Sequence, residues 1–254
     1  MKTLLLSFDL EEFDLPREFG YNICDKDMFN ISYLGLKQVL NIVQNCKVTF
    51  FVSCSFAKKY SQLIKSLAKD YEVSLHCLDH NDDYSRMSEN QFKDNIKKAK
   101  LILEKIIGKP VLGFRAPRMQ VPYYSVLKKL GFVYDSSYNP TFIPKRYNNF
   151  FKTRRIFKKE GIVVIPISTL PGIRLPLFWL SFRNLPLFNF ISRLVFKNYL
   201  NIYFHPWEFV DLSKFPVPWY IKRNTGKNLC KKLSKFVKKY DCKTFSDFLK
   251  KVHL

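Results

Sequence analysis

Acidic residues are scarce in this chain. Its 254 residues include 43 Lys and Arg but only 21 Asp and Glu, which gives a formal net charge of +22. A protein this basic attracts anionic partners, a class that includes lipid head groups, nucleic acids and acidic glycans. The charge alone does not choose among these partners.

The six cysteines do not show the spacings that are typical of a structural metal site or a disulfide framework. The sequence has no CxxC pair and no regular cysteine spacing, so neither a zinc ribbon nor a small disulfide scaffold is indicated. Reduced thiols in a cytosolic protein are the simpler interpretation. The six residues are Cys24, Cys46, Cys54, Cys77, Cys230 and Cys242.

Long apolar runs are also missing. A membrane-spanning helix needs about 20 uninterrupted apolar residues, and no window supplies them. The opening MKTLLLSFDLEEFD reaches three carboxylates by residue 12, too early for a signal peptide, and predicts a first β-strand. Residues 173–196 are rich in Leu, Phe and Trp but interrupted by arginines and prolines. This aromatic segment fits either a membrane surface or an excursion packed on the protein itself.

Short β-branched or aromatic runs alternate with longer stretches of helical period along the chain. This alternation is typical of βα units around a parallel sheet, and the length suits one domain over 1–254. Helices are expected over 88–107, with Ser88 as N-cap and Gly108 at the end, and over 226–240. Seven strands are expected, over 3–8, 48–53, 72–76, 111–116, 131–135, 162–166 and 200–205.

Polar residues stand at the carboxyl ends of five of these predicted strands. In a βα barrel these ends face one rim, where active sites are built from residues far apart in the sequence. We therefore expect five side chains to converge there, namely Asp9, His76, Arg115, Asp135 and His205.

His76 and His80 stand four residues apart in the stretch SLHCLDHND. At this spacing two imidazoles can reach one cation, and a carboxylate from elsewhere completes a site with an open position. Unrelated surface histidines are the commoner source of such a spacing, and only the convergence on one rim favours a metal. A His-rich set for Lewis-acid hydrolysis favours Zn²⁺, although nickel, cobalt or manganese fits the same donors. The first strand offers four carboxylates, those of Asp9, Glu11, Glu12 and Asp14.

Two further rim residues suit hydrolysis of an amide or ester. Beside a metal that activates water, a carboxylate can act as base and a second histidine as acid. His205, in YFHPWEF, is presented at a strand end, and Arg115, in GFRAPR, can pair with a rim carboxylate and lower its pKa. Taken singly, each residue has an ordinary structural explanation.

The order of the motifs resembles that of the polysaccharide deacetylase family, carbohydrate esterase family 4, across nearly the whole chain. The motifs are SFDLEEFD, FFVS, HCLDH, FRAP, GFVYDSS and YFHPWEF. The resemblance implies a NodB-homology fold, which is an α/β architecture with a distorted (β/α) barrel of about seven parallel strands. It also implies removal of N-acetyl groups from an acetamido sugar. The RAP, YDSS and HPWE motifs resemble in particular a bacterial branch associated with exopolysaccharide and cell-surface glycan production.

Carried over by position, the resemblance implies a role for each rim residue. It also implies that a backbone N–H near Arg118 helps to stabilise the oxyanion. The implied roles are catalytic base for Asp9, general acid for His205, metal ligand for His76 and His80, tuning of Asp9 for Arg115, and support of Arg115 or His205 for Asp135.

One departure from the family concerns the third metal ligand. The family usually has two adjacent aspartates, a base followed by a ligand, whereas Asp9 is followed here by Leu10. The ligand is therefore displaced to Glu11 or Glu12, and we favour Glu11 because divergent branches carry the pattern Asp-x-acid. Residues 9 and 11 share a face only while the chain stays extended.

The basic charge is concentrated in residues 145–159, which hold seven Lys or Arg and no acid. Together with the aromatic segment, this run suggests a cytoplasmic protein in peripheral contact with the anionic inner face of the plasma membrane, acting on a lipid-linked N-acetylated glycan. A generally lysine-rich proteome explains the same composition.

Three other functions compete with deacetylation. A related barrel could hydrolyse another C–N bond, in a cyclic amide or ureide, and a barrel without its metal could simply bind glycan. Nucleic-acid binding is disfavoured because the sequence has no RRM, KH, zinc-finger or helix-turn-helix signature.

Overall fold

The computed structural model describes residues 2–144, 147–195 and 199–252. Residues 145–146 of the predicted basic run and residue 196 of the aromatic segment lie outside these ranges. The strands are β1 (Thr3–Leu10), β2 (Thr49–Ser53), β3 (Glu72–Cys77), β4 (Gly113–Phe114), β5 (Tyr134–Asp135), β6 (Phe142–Ile143), β7 (Tyr147–Asn148), β8 (Phe157–Lys159), β9 (Ile162–Val164), β10 (Tyr199–Phe204) and β11 (Asp241–Cys242).

Helices occupy most of the connections between the strands. Three short 3₁₀ turns, at Tyr84–Arg86, Pro117–Met119 and Pro206–Phe209, follow β3, β4 and β10. The α-helices are α1 (Leu15–Glu18), α2 (Asp25–Val43), α3 (Cys54–Lys59), α4 (Ser61–Asp70), α5 (Glu89–Ile107), α6 (Tyr124–Lys129), α7 (Trp179–Asn184), α8 (Phe188–Val195), α9 (Trp219–Lys222), α10 (Lys227–Val237) and α11 (Phe245–Leu249).

The main sheet is a curled, mostly parallel half-barrel in the order β10-β1-β2-β3-β4-β5-β9-β8. Its pairs are parallel except for β8 with β9, and β11 adds a short parallel pairing to β1. The segment that follows β9 contacts β10, because the backbone N–H of Ser168 donates a 3.1 Å hydrogen bond to the carbonyl oxygen of Asn201. The seven predicted strands all appear, and the α/β distorted barrel is confirmed.

The side chains of strand β1 alternate between the outer and inner faces of the sheet. It is buried along its length except at Thr3, as is usual for a parallel strand covered on both sides. Leu4, Leu6 and Phe8 pack towards the surrounding helices, whereas Leu5 packs inward with Phe51. The two-residue period therefore places Asp9 on the inner face with Leu5, at the carboxyl end of the strand.

Both predicted helices form, α5 with the expected ends and α10 a few residues shorter than predicted. Helix α5 begins with a capping box between Ser88 and Gln91 and ends at Gly108, which adopts the left-handed conformation with φ of 69°. Helix α10 lies within the predicted 226–240. The assignment of one domain to the whole chain stays a prediction.

Gly35 of α2 is required by a close helix approach. A Cβ atom built on this residue would lie 1.8 Å from the carbonyl oxygen of Pro206. Glycine therefore lets α2 pack directly on the 3₁₀ turn that follows β10. This contact fixes the turn that begins immediately after His205.

The first half of the aromatic segment packs on the barrel. Phe182 of α7 is fully buried, and its ring meets those of Phe204 and Phe236 edge-on. In the second half Phe188 is buried in the same way, but Leu187 and Phe190 are 74% and 60% exposed. Among the described helices, none combines the length and apolarity that a bilayer crossing requires.

Candidate active site

The structure brings Glu11, His76 and His80 together at the carboxyl end of the sheet. Glu11 follows β1, His76 lies in β3, and His80 lies in the turn after β3. The Nε2 atoms of both histidines are 3.0 Å from Oε2 of Glu11. One donor atom from each residue lies within 4.8 Å of the other two. Two imidazoles and one carboxylate form a donor set that suits Zn²⁺ with an open position.

Both histidine rings are held from their far side. Nδ1 of His76 donates a 2.7 Å hydrogen bond to the carbonyl oxygen of Arg115, and Nδ1 of His80 donates one of 2.7 Å to Asp14 Oδ2. Metal-ligating histidines commonly donate their second N–H to such oxygen acceptors, which fixes the tautomer. The Nε2 atoms are thus left facing Glu11, so the residues present fit a divalent cation.

Glu12 faces away from this cluster. Its carboxylate accepts hydrogen bonds from Ser53 Oγ at 2.8 Å and from Ser55 Oγ at 2.6 Å. Of the two carboxylates considered from the sequence, only Glu11 is therefore directed at the histidines. The chain stays extended through the end of β1, so Asp9 and Glu11 share the inner face.

Asp9 is paired with Arg115 beside the cluster. Nη1 of Arg115 donates a 2.7 Å hydrogen bond to Asp9 Oδ1, and both side chains are at most 3% exposed. The guanidinium also donates to Ser7 and Ser136, and it lies over the Phe51 ring at 4.1 Å. Every edge of this buried cation is thereby occupied, which fixes the position of the Asp9 carboxylate.

His205 lies on the opposite side of Glu11. Its Nε2 is 3.7 Å from Glu11 Oε1, and its Nδ1 donates a 3.1 Å hydrogen bond to Glu208 Oε1. The ring stacks on Trp207 with centroids 4.7 Å apart. Glu208 in turn forms a fully buried ion pair with Arg183 at 3.0 Å. Sequence reasoning missed Arg183 and Glu208, although Glu208 belongs to the HPWE motif.

Asp135 does not make the predicted contact with Arg115 or His205 among the described hydrogen bonds. Its carboxylate instead accepts from the hydroxyl and backbone N–H of Ser137 and from Tyr124. Ser137 is only two residues from Asp135 and offers two hydrogen-bond donors, so these local hydrogen bonds satisfy the carboxylate. Asp135 is linked to the Arg115 backbone indirectly through Ser137. Ser137 Oγ donates to Asp135 and accepts a hydrogen bond from the backbone N–H of Ala116, the residue after Arg115.

The charges of the cluster shift its pKa values in opposite directions. Burial raises the pKa of Glu11, but His80 and His205 outweigh it and hold that pKa well below its usual range. Burial lowers the pKa of His80, yet Glu11 and Asp14 raise it well above its usual value. The pKa of His205 is also raised, because Glu11 and Glu208 outweigh burial. A histidine that keeps its proton can act as a general acid.

The cluster opens into a cavity of about 410 Å³. Aromatic side chains form much of its wall, and Arg118 lies at the wall with φ of 55°. Arg118 is held by Asp83 at 3.6 Å and Glu18 at 4.0 Å. An apolar cleft with a few convergent polar groups is the usual form of a small-molecule site. The aromatic residues are Phe19, Tyr147, Phe178, Trp179, Tyr203, Trp207 and Tyr220.

Comparison with known proteins gives matches to deacetylases. The sequence model of the family described as polysaccharide deacetylase matches residues 35–134. This range includes both histidines of the cluster and Arg115. Chitin deacetylase 1 of Bombyx mori is 28% identical over 120 residues, which are 42% of this chain and only 22% of the Bombyx protein.

Solved structures show the same fold over almost the whole chain. A Mycobacterium smegmatis protein assigned to the polysaccharide deacetylases aligns with a TM-score of 0.67 at 15% identity, covering 98% of this chain and 88% of its own. The PuuE allantoinase aligns with a TM-score of 0.62 at 14% identity, covering 98% and 89%. At these identities the alignments establish the fold alone. The family match over residues 35–134 and the order of the motifs show that this chain resembles the polysaccharide deacetylase family.

Proposed function

We propose that this chain is a metal-dependent hydrolase that removes the N-acetyl group from an acetamido sugar of a polysaccharide or lipid-linked glycan. The observation that carries the proposal is the convergence of the Glu11, His76 and His80 donor atoms beside the buried Asp9–Arg115 pair and His205. All of these side chains except Arg115 line one cavity.

Glu11, His76 and His80 would hold the cation, with Zn²⁺ as the first choice for this donor set. When bound, a divalent cation supplies Lewis acidity and lowers the pKa of water. The protein's own residues supply positioning and proton transfer. Asp9 accepts the proton of the attacking water, and the Arg115 guanidinium holds Asp9 in place for that transfer.

His205 is proposed to donate a proton to the departing amine nitrogen. Its Nδ1 is fixed by Glu208, so the proton on Nε2 points into the cavity. The raised pKa of this imidazole, which the carboxylates of Glu11 and Glu208 cause, favours its protonated form. The products of the reaction are acetate and a free amino sugar.

The test uses two neighbouring glutamates as a matched pair. Metal content is measured by elemental analysis of wild type, Glu11→Gln and Glu12→Gln after reconstitution with Zn²⁺, with circular dichroism as a check on folding. We expect about one ion per chain in wild type and Glu12→Gln, and loss of the ion in Glu11→Gln. Glu12→Gln retains one acceptor oxygen for the two serine hydroxyls that donate to Glu12, and its amide N–H can donate to the other hydroxyl oxygen. A folded Glu11→Gln that retains the ion, or a wild type that binds none, would overturn the metal site.

Acetate release from N-acetylglucosamine oligosaccharides then tests the reaction. Wild type should release acetate, and Asp9→Asn should retain metal but lose activity by about 100-fold or more. Hydrolysis of a cyclic amide or ureide without acetate release would instead assign the chain the alternative C–N hydrolase activity. A protein that retains glycan on a column and releases nothing would be a binding barrel.

The lipid-linked form of the substrate is supported by a set of exposed apolar side chains, one of which lines the cavity. We define this apolar patch as Leu187, Phe190, Trp219 and Tyr220, which are between 42% and 74% exposed. Two of these residues precede or lie in α8 and two lie in α9. Asn184, at the end of α7, contacts α9 by donating a 3.3 Å hydrogen bond to the carbonyl oxygen of Tyr220. Tyr220 also lines the cavity, so a glycan carried by a lipid could reach the site from this side.

Basic residues flank the apolar patch. Lys232 and Lys239 line a groove of about 480 Å³ together with Leu187 and Phe190. Exposed apolar side chains beside lysines complement a bilayer with anionic head groups, where each basic residue near the surface contributes about 1 kcal/mol. We infer that this face contacts an anionic membrane.

A further inference from the structure

A second cluster of reactive side chains lies apart from the candidate active site. Cys46 follows the end of α2, and Cys242 ends β11, which pairs with β1 through Leu4 opposite Cys242. Both cysteines line one cavity of about 630 Å³, and their thiols are hydrogen-bonded to each other. They are 196 residues apart in sequence and come from opposite ends of the chain.

The two thiols have different surroundings. Cys242 is 9% exposed and belongs to the main core, whereas Cys46 is half-buried and packs against that core. Lys47, Lys238 and Lys243 line the same cavity. Solvent therefore reaches Cys46 first, and nearby ammonium groups favour its thiolate.

The greater exposure of Cys46 and its contact with Cys242 favour Cys46 as the nucleophile. Donation from Cys242 lowers the pKa of Cys46 to about 7, although burial raises it. The same contact and burial raise the pKa of Cys242. A thiol whose pKa lies near the ambient pH combines a useful thiolate fraction with high nucleophilicity.

We propose that Cys46 and Cys242 form an oxidation site that closes reversibly to a disulfide, with a hydroperoxide as the oxidant. The Cys46 thiolate attacks one peroxide oxygen, the O–O bond breaks, and Cys46 becomes a sulfenic acid while hydroxide takes up a proton to form water. The Cys242 sulfur then attacks the Cys46 sulfur, the S–O bond breaks, and the leaving hydroxide takes the Cys242 proton as a second water. Two thiols are oxidised by two electrons and one peroxide is reduced to two waters.

The disulfide would fasten β11 to the segment between α2 and β2. The next residues, in α11, contact the barrel interior, where Phe245 stacks on Tyr134 with centroids 5.3 Å apart. Oxidation would therefore tie the carboxyl-terminal segment to the barrel covalently. This proposal is independent of the deacetylase function.

The test is a peptide map of peroxide-treated wild type. After brief treatment with hydrogen peroxide, free thiols are alkylated and the protein is digested with trypsin without reduction. We expect one dominant cross-linked species joining residues 38–47 to residues 240–243, the tryptic peptides that carry the two cysteines. Dithiothreitol should separate them, and the oxidised protein should melt roughly 5–10 °C above the reduced one.

Two variants complete the experiment. Cys24→Ser removes an exposed thiol outside the pair and should leave the cross-link and the melting shift unchanged. Cys46→Ser should abolish both. The proposal is overturned if the wild-type map lacks the linked peptides while Cys46 is found over-oxidised, or if Cys46 links to another cysteine instead. The wild-type peptide map tests the proposal by itself, even if one of the variants fails to fold.

Discussion

Asp14 Oδ2 lies 2.7 Å from Nδ1 of His80, on the side of the ring away from Glu11. This contact turns His80 Nε2 towards Glu11 Oε2, 3.0 Å away. Asp14 therefore orients one member of the donor cluster without belonging to it. Outer carboxylates of this kind raise the basicity of a ligating histidine and typically contribute 10–100-fold to metal affinity.

Replacing Asp14 should change metal affinity and its pH dependence together. Burial lowers the pKa of His80, and Glu11 and Asp14 raise it above its usual value, so protons compete with a cation for Nε2 as the pH falls. In Asp14→Asn the contribution of Asp14 to the raised pKa of His80 is lost, so protons should begin to compete with the cation only at a lower pH. At pH 8 the affinity for Zn²⁺ should fall by about 10–100-fold because the ring loses its anchor. Competition with a chromophoric chelator between pH 5.5 and 8.5 measures both effects.

Asp83→Asn is the matched control for this experiment. Asp83 lies in the same connection after β3, but it contacts Ser85, Arg86 and Arg118 rather than a histidine of the cluster. Its affinity curve should follow that of wild type. An unchanged curve for Asp14→Asn would show that the Asp14–His80 contact has no part in metal binding.

Asp135 gives a pH dependence of stability that is separate from the metal. Burial raises its pKa to about 6, against the lowering effect of hydrogen bonds from Ser137 and Tyr124. The folded state thus holds this proton more tightly than the unfolded chain, where the pKa is near 3.8. Stability must then fall as the pH rises from about 4 through about 6, by on the order of 3 kcal/mol at pH 7.

Asp135→Asn removes this titration. The free energy of unfolding of Asp135→Asn minus that of wild type should therefore be larger at pH 7 than at pH 4.5 by about 2 kcal/mol, as measured by urea denaturation. Asp25→Asn, whose parent side chain is 74% exposed, should show almost no such difference. Equal differences at the two pH values would mean that Asp135 is ionised in the folded protein as readily as in water.

Much of the fold followed from the sequence because its strands are long enough to show a pattern. The runs at β1, β2 and β10 are rich in apolar residues, and β3 alternates polar and apolar residues. The polar residues at their carboxyl ends fall on one rim because parallel strands end there together. The hairpin β6–β7 and the strands β8 and β11 were not predicted. Each has only two or three residues and, unlike β4, β5 and β9, does not lie within a longer apolar run.

The site was predictable in its residues but not in all its contacts. Strand alternation brings Asp9 to the rim, and its partner Arg115 also stood at a strand end. The hydrogen-bond partners of Asp135 were not predicted, since competition from a serine two residues away is not visible in the motif pattern. The buried pair of Arg183 and Glu208 joins two segments 25 residues apart, and nothing in either segment indicates the other.

The apolar patch predicts selective binding to anionic vesicles. Wild type should co-sediment with vesicles that contain phosphatidylglycerol and much less with pure phosphatidylcholine, and added salt should weaken the binding because exposed charges are screened. Leu187→Ser with Phe190→Ser should reduce binding at least fivefold, since two exposed apolar side chains can no longer enter the bilayer.

The matched control is Leu101→Ser, because Leu101 is 58% exposed but lies on α5, away from the apolar patch. It should bind vesicles as wild type does, and both proteins should keep the same melting temperature. Equal binding by all three proteins would mean that the basic surface alone attracts the lipid, without insertion of Leu187 and Phe190. Absence of binding at low salt would contradict membrane contact altogether, and the cavity beside Tyr220 would then be approached by glycans from solution.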